Sequence, residues 1–198
     1  MKLKNPVRDV RTIKRLLSGA EAEARQAGES LPGAEHLLLS ALALPDGSAK
    51  RAFERLGADP NQLGPAIAAA HAEALRAIGI EPPDDDALDA AAGEDPKAPT
   101  GVFRSNASAQ SAFQAAAQLA RAEKSQLVGA HVVAAVAEME HGTAARALNV
   151  MRIDRVALAA AAHEETSNGR LGPGLVSARR RQAAQLSRRK PRSPRTQG

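Results

Sequence analysis

Few side chains in this sequence stand at spacings that support catalysis. Cysteine is absent, which excludes thiolate metal sites, disulfides and a cysteine nucleophile. Neither a G-x-S-x-G elbow nor a G-x-x-x-x-G-K-[ST] phosphate loop occurs. No histidine belongs to an H-E-x-x-H pair, and the five histidines are scattered: His36, His71, His131, His141 and His163. The sequence therefore predicts a protein that is not an enzyme and that needs no metal and no cofactor.

The excess of positive charge lies in one segment. The net charge is +5, yet nine basic residues and no acidic one lie between positions 170 and 198, so the preceding 169 residues carry −4. Gly, Pro, Ser and Gln fill much of the segment, which predicts disorder. Its arginines could contact nucleic-acid phosphates, but no aromatic residue is interleaved for base stacking. The candidate contacts are Arg179, Arg180, Arg181, Arg188 and Arg189.

The composition favours an all-helical core. Hydrophobic residues make up 43% of the chain and aromatic residues only 2%, so the core must be built from Ala, Leu, Ile and Val. Ala and Leu have high helix propensities, whereas the residues that strands prefer are sparse. The sequence has neither an apolar run of about 18 residues nor a signal-peptide pattern. We therefore expect a cytoplasmic protein with no membrane contact.

An internal repeat organises the chain. Several residues of the first half recur 96 positions later, namely Arg25, Leu31, Gly33 and Ala34. Residues 47–53 match residues 142–148 at an offset of 95, which predicts a one-residue deletion in a loop between the two blocks. An ordered series of matches with one loop deletion indicates a duplication.

Each half is predicted to form four helices. The first repeat, 9–78, contains helices near 9–27, 33–44, 48–57 and 60–78. The second repeat, 105–168, contains helices near 106–124, 129–140, 143–152 and 154–166. An arm (1–8), an acidic Pro-rich linker (79–104) and a basic tail (169–198) complete the chain. The predicted fold class is all-α, with two tandem four-helix repeats related by a pseudo-twofold axis.

The repeat resembles the Clp N-terminal domain, a double four-helix repeat that precedes the AAA+ modules of ClpA and ClpC unfoldases. The likeness rests on Gly33-Ala34-Glu35-His36-Leu37-Leu38-Leu39 and on the segment from Gly47 to Asp59, and more weakly on 128–131 and 142–148. Two departures are a spacer about twenty residues longer than the family's and the missing phosphate loop. The resemblance implies a Clp-type domain that stands without its motor.

The resemblance also implies ligands. In the family this domain receives substrates, adaptors and certain cyclic peptides, and ClpC-type members bind phosphoarginine through a carboxylate and a hydroxyl residue. The first carboxylate position falls on Glu35 and its hydroxyl position on Val10. In the second repeat these positions fall on His131 and Asn106. The family's groove between the first and fifth helices would be lined by Ile13, Leu16, Leu17, Phe103, Gln110, Phe113 and Ala117. For Leu16 and Phe113 the alternative is a place in the core.

The sequence leads to two hypotheses. The first is a non-catalytic binding module of the Clp proteolysis system, acting as an adaptor or as a ligand-sequestering decoy. Its partners would be Clp unfoldase or protease components, their substrates, or cyclic-peptide ligands. The second is a nucleic-acid-associated stress protein that uses the arginine tail.

Overall fold

The helices of the two repeats follow from local signals in the chain. A computed structural model describes the backbone of residues 6–81 and 104–170; residues 1–5 of the predicted arm, most of the linker and nearly all of the basic tail lie outside these ranges, whereas residues 6–8 of the arm are part of the first helix. Eight α-helices occupy the described residues: α1 (Pro6–Gln26), α2 (Ala34–Leu42), α3 (Ser48–Arg55), α4 (Leu63–Ala77), α5 (Ala107–Ala122), α6 (Gly129–Ala137), α7 (Thr143–Val150) and α8 (Arg155–Arg170). Within those ranges the regular structure is entirely helical, and the all-α prediction is confirmed.

The fourth helix of the first repeat begins with a short 3₁₀ turn, Pro60–Gln62. Asp59 caps this turn, because its Oδ1 accepts a hydrogen bond from the backbone N–H of Asn61 at 2.9 Å. Pro60 follows the cap, where a missing N–H costs nothing. The predicted start of this helix is therefore confirmed.

Matching backbone turns end the helices of the two repeats. Gly28 and Gly57 have φ values of +74° and +70°, as the sequence predicts for residues that follow a helix. The equivalent positions of the second repeat are Lys124 and Arg152, whose φ values are +53° and +55°. Within the described ranges these are the two residues other than glycine with positive φ. The duplication is thus visible in the backbone even where the glycines are lost.

The core is shared by both repeats and is rich in alanine. Phe53 and Leu16 of the first repeat and Leu148 and Leu158 of the second are fully buried in one cluster. Small residues let the helices approach closely. At Gly129, the first residue of α6, an added Cβ would lie 2.9 Å from both the Ala41 carbonyl oxygen and the Ala49 Cβ. The seam between the repeats is therefore closely packed at this point.

The fourth helices are exchanged between the repeats. Helix α4 packs chiefly against α7 of the second repeat. Reciprocally, Glu165 of α8 accepts hydrogen bonds from Arg51 and Arg55 of α3, at 2.6 Å each. The sequence predicts two four-helix repeats but does not predict this exchange. Each fourth helix contributes to the contact between the repeats.

Electrostatics support this exchange. Glu165 is 5% exposed. Burial raises the pKa of Glu165, but the hydrogen bonds and charges of Arg51 and Arg55 outweigh it and hold the pKa below the usual value. Arg55 also donates to Glu164 at 2.8 Å. Two arginines of one repeat thus fix the last helix of the other.

Candidate functional site

The residues predicted to line a groove mostly flank the core. Leu16 is fully buried and belongs to the core cluster, which is the alternative that the sequence left open for this residue. The partly buried side chains of Ile13, Leu17 and Phe113 also pack against that cluster. On α5, Gln110 is exposed and Ala117 is half-buried. Phe103 lies outside the described residues.

Helix α2 contacts both long helices of the predicted groove, α1 and α5. It begins at the N-cap residue Gly33, whose N–H donates to the His36 Nδ1 at 3.0 Å. The same arrangement opens α6, where the N–H of Val128 donates to the His131 Nδ1 at 3.1 Å. His36 and His131 are therefore structural equivalents at an offset of 95.

The equivalence of His36 and His131 changes the predicted place of the one-residue deletion and the residue that corresponds to Glu35 in the second repeat. The missing residue falls in the loop before α6, not between the repeated blocks. Ala130, and not His131, occupies the position that corresponds to Glu35. His131 is buried, and its Nε2 lies 3.2 Å from the Ser125 Oγ and 3.5 Å from the Glu123 Oε2. Burial lowers the pKa of His131 and outweighs the opposing effect of Glu123. His131 therefore caps the first turn of its own helix, α6.

Glu35 keeps its carboxylate at the start of α2. It is 5% exposed, and its Oε1 lies 3.4 Å from the His36 Nδ1. A Cβ on Gly33 would lie only 2.0 Å from that Oε1, so the carboxylate folds back over the glycine. Burial raises the pKa of Glu35, but His36 and the residue's own backbone N–H outweigh it, and the pKa lies below the usual value. A buried carboxylate at a helix N-terminus stabilises the helix.

Asn106 reaches the first repeat. Its N–H donates to the Pro32 carbonyl at 3.1 Å, and its Oδ1 accepts from the Ala109 N–H and from the Ser108 hydroxyl. The Ser108 Oγ in turn accepts from the Ala34 N–H at 3.1 Å. Asn106 thus contacts the loop that precedes α2, near Glu35. The sequence does not predict this contact, because it joins residues of different repeats. Of the residues predicted to bind phosphoarginine, the structure brings Glu35 and Asn106 together near the start of α2.

The start of α6 is capped by the first repeat. The Ser48 Oγ accepts from the Ala130 N–H at 2.9 Å. Asp46 accepts from the Gly129 N–H, at 3.3 Å to each carboxylate oxygen. The sequence predicts Ser48 as the cap of its own helix, α3, but the Ser48 side chain caps the other repeat. The first turns of α2 and α6 are therefore each capped by a serine hydroxyl of the other repeat.

Among the residues that the structure describes, one group of side chains has the spacing of metal ligands. Ligand atoms of Glu29, Glu35 and His36 lie within 4.8 Å of one another. However, the Gly33 N–H donates to the His36 Nδ1, so the ring carries its proton on Nε2 when it is neutral. Coordination by His36 would break the cap that starts α2. We therefore assign this group to helix capping.

Comparison with known proteins shows what the first repeat is similar to. The model of the Clp repeat (R) N-terminal domain matches residues 11–88. The match covers less than half of the chain, and these residues are similar to the Clp repeat N-terminal domain. The chain is 42% identical over 66 residues to the chloroplastic chaperone protein ClpC1 of Oryza sativa subsp. japonica, a stretch that covers 33% of this chain and 7% of that protein. It is 48% identical over 50 residues to the chloroplastic chaperone protein ClpC of Pisum sativum, covering 25% of this chain and 5% of the relative.

A solved structure is also similar. The N-terminal domain of the ClpD chaperone from Arabidopsis thaliana matches with a TM-score of 0.47 at 20% identity, covering 79% of this chain and 90% of that one. The Clp assignment therefore depends on the sequence match to the first repeat. The chain spans less than a tenth of the length of the curated relatives that it matches.

The five arginines predicted to contact nucleic acid, between 179 and 189, lie outside the described residues. Among the helices that the structure describes, none combines the length and the apolar character that crossing a bilayer requires.

Proposed function

We propose that this protein is a non-catalytic protein- and peptide-binding module of the Clp proteolysis system. It would act as an adaptor or as a ligand-sequestering decoy for a ClpC-type unfoldase. The observation that carries the proposal is the Clp repeat match over residues 11–88, with ClpC proteins among the relatives. The cross-repeat contacts support it, because Asn106 and Ser108 of the second repeat complete the helix start next to Glu35.

The ligand surface that we propose is the exposed edge of the predicted groove. Gln110 and the half-buried Ala117 are accessible on α5, and Ile13 and Leu17 are partly accessible on α1. An apolar peptide segment could bury side chains against such positions. Phosphoarginine and the family's cyclic peptides are the candidate small ligands. Glu35 would have to leave its place over Gly33 to meet a guanidinium.

Affinity capture from the source cell tests the proposal. The full chain is immobilised beside two variants, Gln110→Arg in the proposed surface and Asn149→Arg on the exposed face of α7. We expect Clp unfoldase, Clp peptidase or their substrates to be enriched by the wild-type protein and by the Asn149 variant. Capture by the Gln110 variant should fall, because a long charged side chain obstructs the surface. Absence of all Clp components and substrates from the wild-type eluate would contradict the proposal.

The arginine segment supports a second candidate, a nucleic-acid-associated stress protein. Nine basic residues without an acidic one favour phosphate contacts whose affinity falls with salt. Helix α8 ends at Arg170, so deletion of residues 171–198 leaves every described helix intact. The second candidate predicts that this deletion abolishes retention of nucleic acid, whereas the Clp proposal predicts that peptide binding survives. The cytoplasmic location stays a prediction from the sequence.

A further inference from the structure

A basic cleft lies beside α1, away from the residues assigned by the family resemblance. Its volume is about 540 Å³, which is within the range that proteins use to bind ligands. Arg11, Lys14 and Arg15 of α1 form one wall. The opposite wall is formed by residues 44–46 of the first repeat and 126–128 of the second. Three segments that are distant in sequence therefore meet around this cavity.

The three cations of the cleft form no ion pair within the described part of the chain. Arg11, Lys14 and Arg15 are exposed, and none forms an ion pair with another residue described in 9–81 or 104–168. Like charges at such helical spacing repel one another. Asp46 faces the same cleft, but its oxygens already accept hydrogen bonds from Ser48 and from the Gly129 N–H. An external anion would relieve the repulsion.

The duplication provides an internal control for these charges. Positions 11, 14 and 15 of α1 correspond, at an offset of 96, to Ala107, Gln110 and Ser111 of α5. Helix α5 packs against α6, the second helix of its repeat, as α1 packs against α2, but α5 carries none of the three charges. The fold therefore does not require the cations, and their presence on α1 alone points to a ligand.

The rest of the cleft favours a peptide over a nucleic acid. Pro45 and Val128 give the wall opposite the cations an apolar character, together with Leu127. Among the residues that the structure describes, no aromatic side chain lines the cleft, so they offer bases no stacking partner. A segment that alternates carboxylates with aliphatic side chains fits both walls.

We propose that this cleft binds an acidic peptide segment of a partner protein. The segment's carboxylates pair with Arg11, Lys14 and Arg15, and its aliphatic side chains lie against Pro45 and Val128. The inference rests on the proposed function in one respect, namely that the module binds protein segments. It adds the chemistry of the partner and a site that the family resemblance does not name.

Fluorescence anisotropy of the full chain tests the proposal with a defined probe. The probe is a fluorescein-labelled octapeptide of alternating Asp and Leu, and its control replaces each Asp by Asn. The cleft variant carries Arg11→Gln, Lys14→Gln and Arg15→Gln. A matched variant loses the same charge at three other exposed sites, Lys50→Gln, Arg76→Gln and Arg121→Gln, all outside the cleft.

Each exposed ion pair contributes a factor of about two to five in affinity. The cleft variant should therefore bind the probe about tenfold or more weakly, and the matched variant less than about twofold more weakly. Raising the salt concentration should weaken binding by the wild-type protein and have little effect on the cleft variant. Circular dichroism and urea unfolding confirm that both variants fold, as expected for substitutions of exposed side chains.

Several results would overturn the inference. Equal loss in both variants would mean a general charge effect, and equal binding of the Asn peptide would mean that carboxylates are not recognised. Cleft-dependent binding of a single-stranded oligonucleotide that exceeds binding of the peptide would assign the cleft to nucleic acid. A large gain in probe affinity on replacing Asp84, Asp85 and Asp86 by Asn would assign it to this chain's own acidic segment. Failure to capture Clp components would leave these binding results unaffected.

Discussion

Replacement of Gly129 by Ala tests the packing between the repeats most sharply. The new Cβ would lie 2.9 Å from the Ala41 carbonyl oxygen and 2.9 Å from the Ala49 Cβ, whereas ordinary contacts begin at 3.4 Å. Two backbone segments, one near the end of α2 and one in α3, must therefore shift by about half an ångström. Such overpacking costs about 1–3 kcal/mol. The higher helix propensity of alanine stabilises the folded state by less than about 1 kcal/mol at the first residue of a helix.

The expected net loss in the free energy of unfolding is therefore about 1–2 kcal/mol, or a fall in melting temperature of about 2–8 °C. Urea unfolding followed by circular dichroism measures it. Gly64→Ala is the matched control, because Gly64 lies in α4 with open space where its Cβ would be. Because Gly64 precedes Pro65, whose ring disfavours a helical residue with a Cβ at this position, the gain in helix propensity is offset, and that variant should stay within about 1 kcal/mol of the wild-type protein. A Gly129 variant as stable as the wild type would refute close packing at this seam.

Three further substitutions probe the cross-repeat contacts and the duplicated turns. Glu165→Gln should cost about 1–2 kcal/mol in urea unfolding at neutral pH, whereas Glu164→Gln, at a 66% exposed side chain, should cost less than about 0.5 kcal/mol. The fold lowers the pKa of Glu165. The contribution of ionised Glu165 to the free energy of unfolding is therefore complete above the ordinary pKa of 4.5, and it is lost as the pH falls through the lower pKa of the folded protein. The difference in stability between the wild type and the Gln variant should shrink over that acidic range. Ser48→Ala should cost about 1 kcal/mol and speed amide exchange at Ala130, and unchanged exchange would contradict the capping role. Arg152→Gly should raise the melting temperature by relieving a positive φ worth about 1 kcal/mol, and a lower melting temperature would count against the assigned turn.

Local signals in the sequence predicted most of the helix boundaries. Gly28 and Gly57 follow helices with positive φ, and Asp59 caps the turn that opens the fourth helix. These signals act within a few residues, so they can be recognised without knowledge of tertiary contacts. The repeat itself was also recognisable, because the loop and cap residues recur in order.

The register of the second repeat was predicted with a one-residue error for a physical reason. Gly129 and Ala130 match Gly33 and Ala34 in identity, but helix capping aligns His131 with His36 instead. Small residues recur by chance in an alanine-rich sequence, whereas the hydrogen bond from a cap N–H to an imidazole has only one register. The exchange of α4 and α8 was equally hidden, since nothing local distinguishes packing on one repeat from packing on the other.

The candidate sites depended on distances that the sequence does not encode directly. Burial removes Leu16 from the proposed surface and holds Glu35 over Gly33. The basic cleft combines residues 11–18, 44–46 and 126–128, and only the fold brings these segments together. The stripe formed by Arg11, Lys14 and Arg15 was visible in the sequence, but a charged helix face is usually just solvated. Its significance comes from the cavity and from the uncharged equivalent face on α5.

The most direct test of a Clp-system module is a degradation assay. A ClpC-type unfoldase and its peptidase from the source organism degrade a fluorescent substrate while the full chain is titrated in, with the Gln110→Arg variant in parallel. The account predicts a saturable change in the degradation rate, an increase for an adaptor or a decrease for a decoy, which the variant weakens. A rate that stays constant up to a large molar excess of the wild-type protein would contradict it.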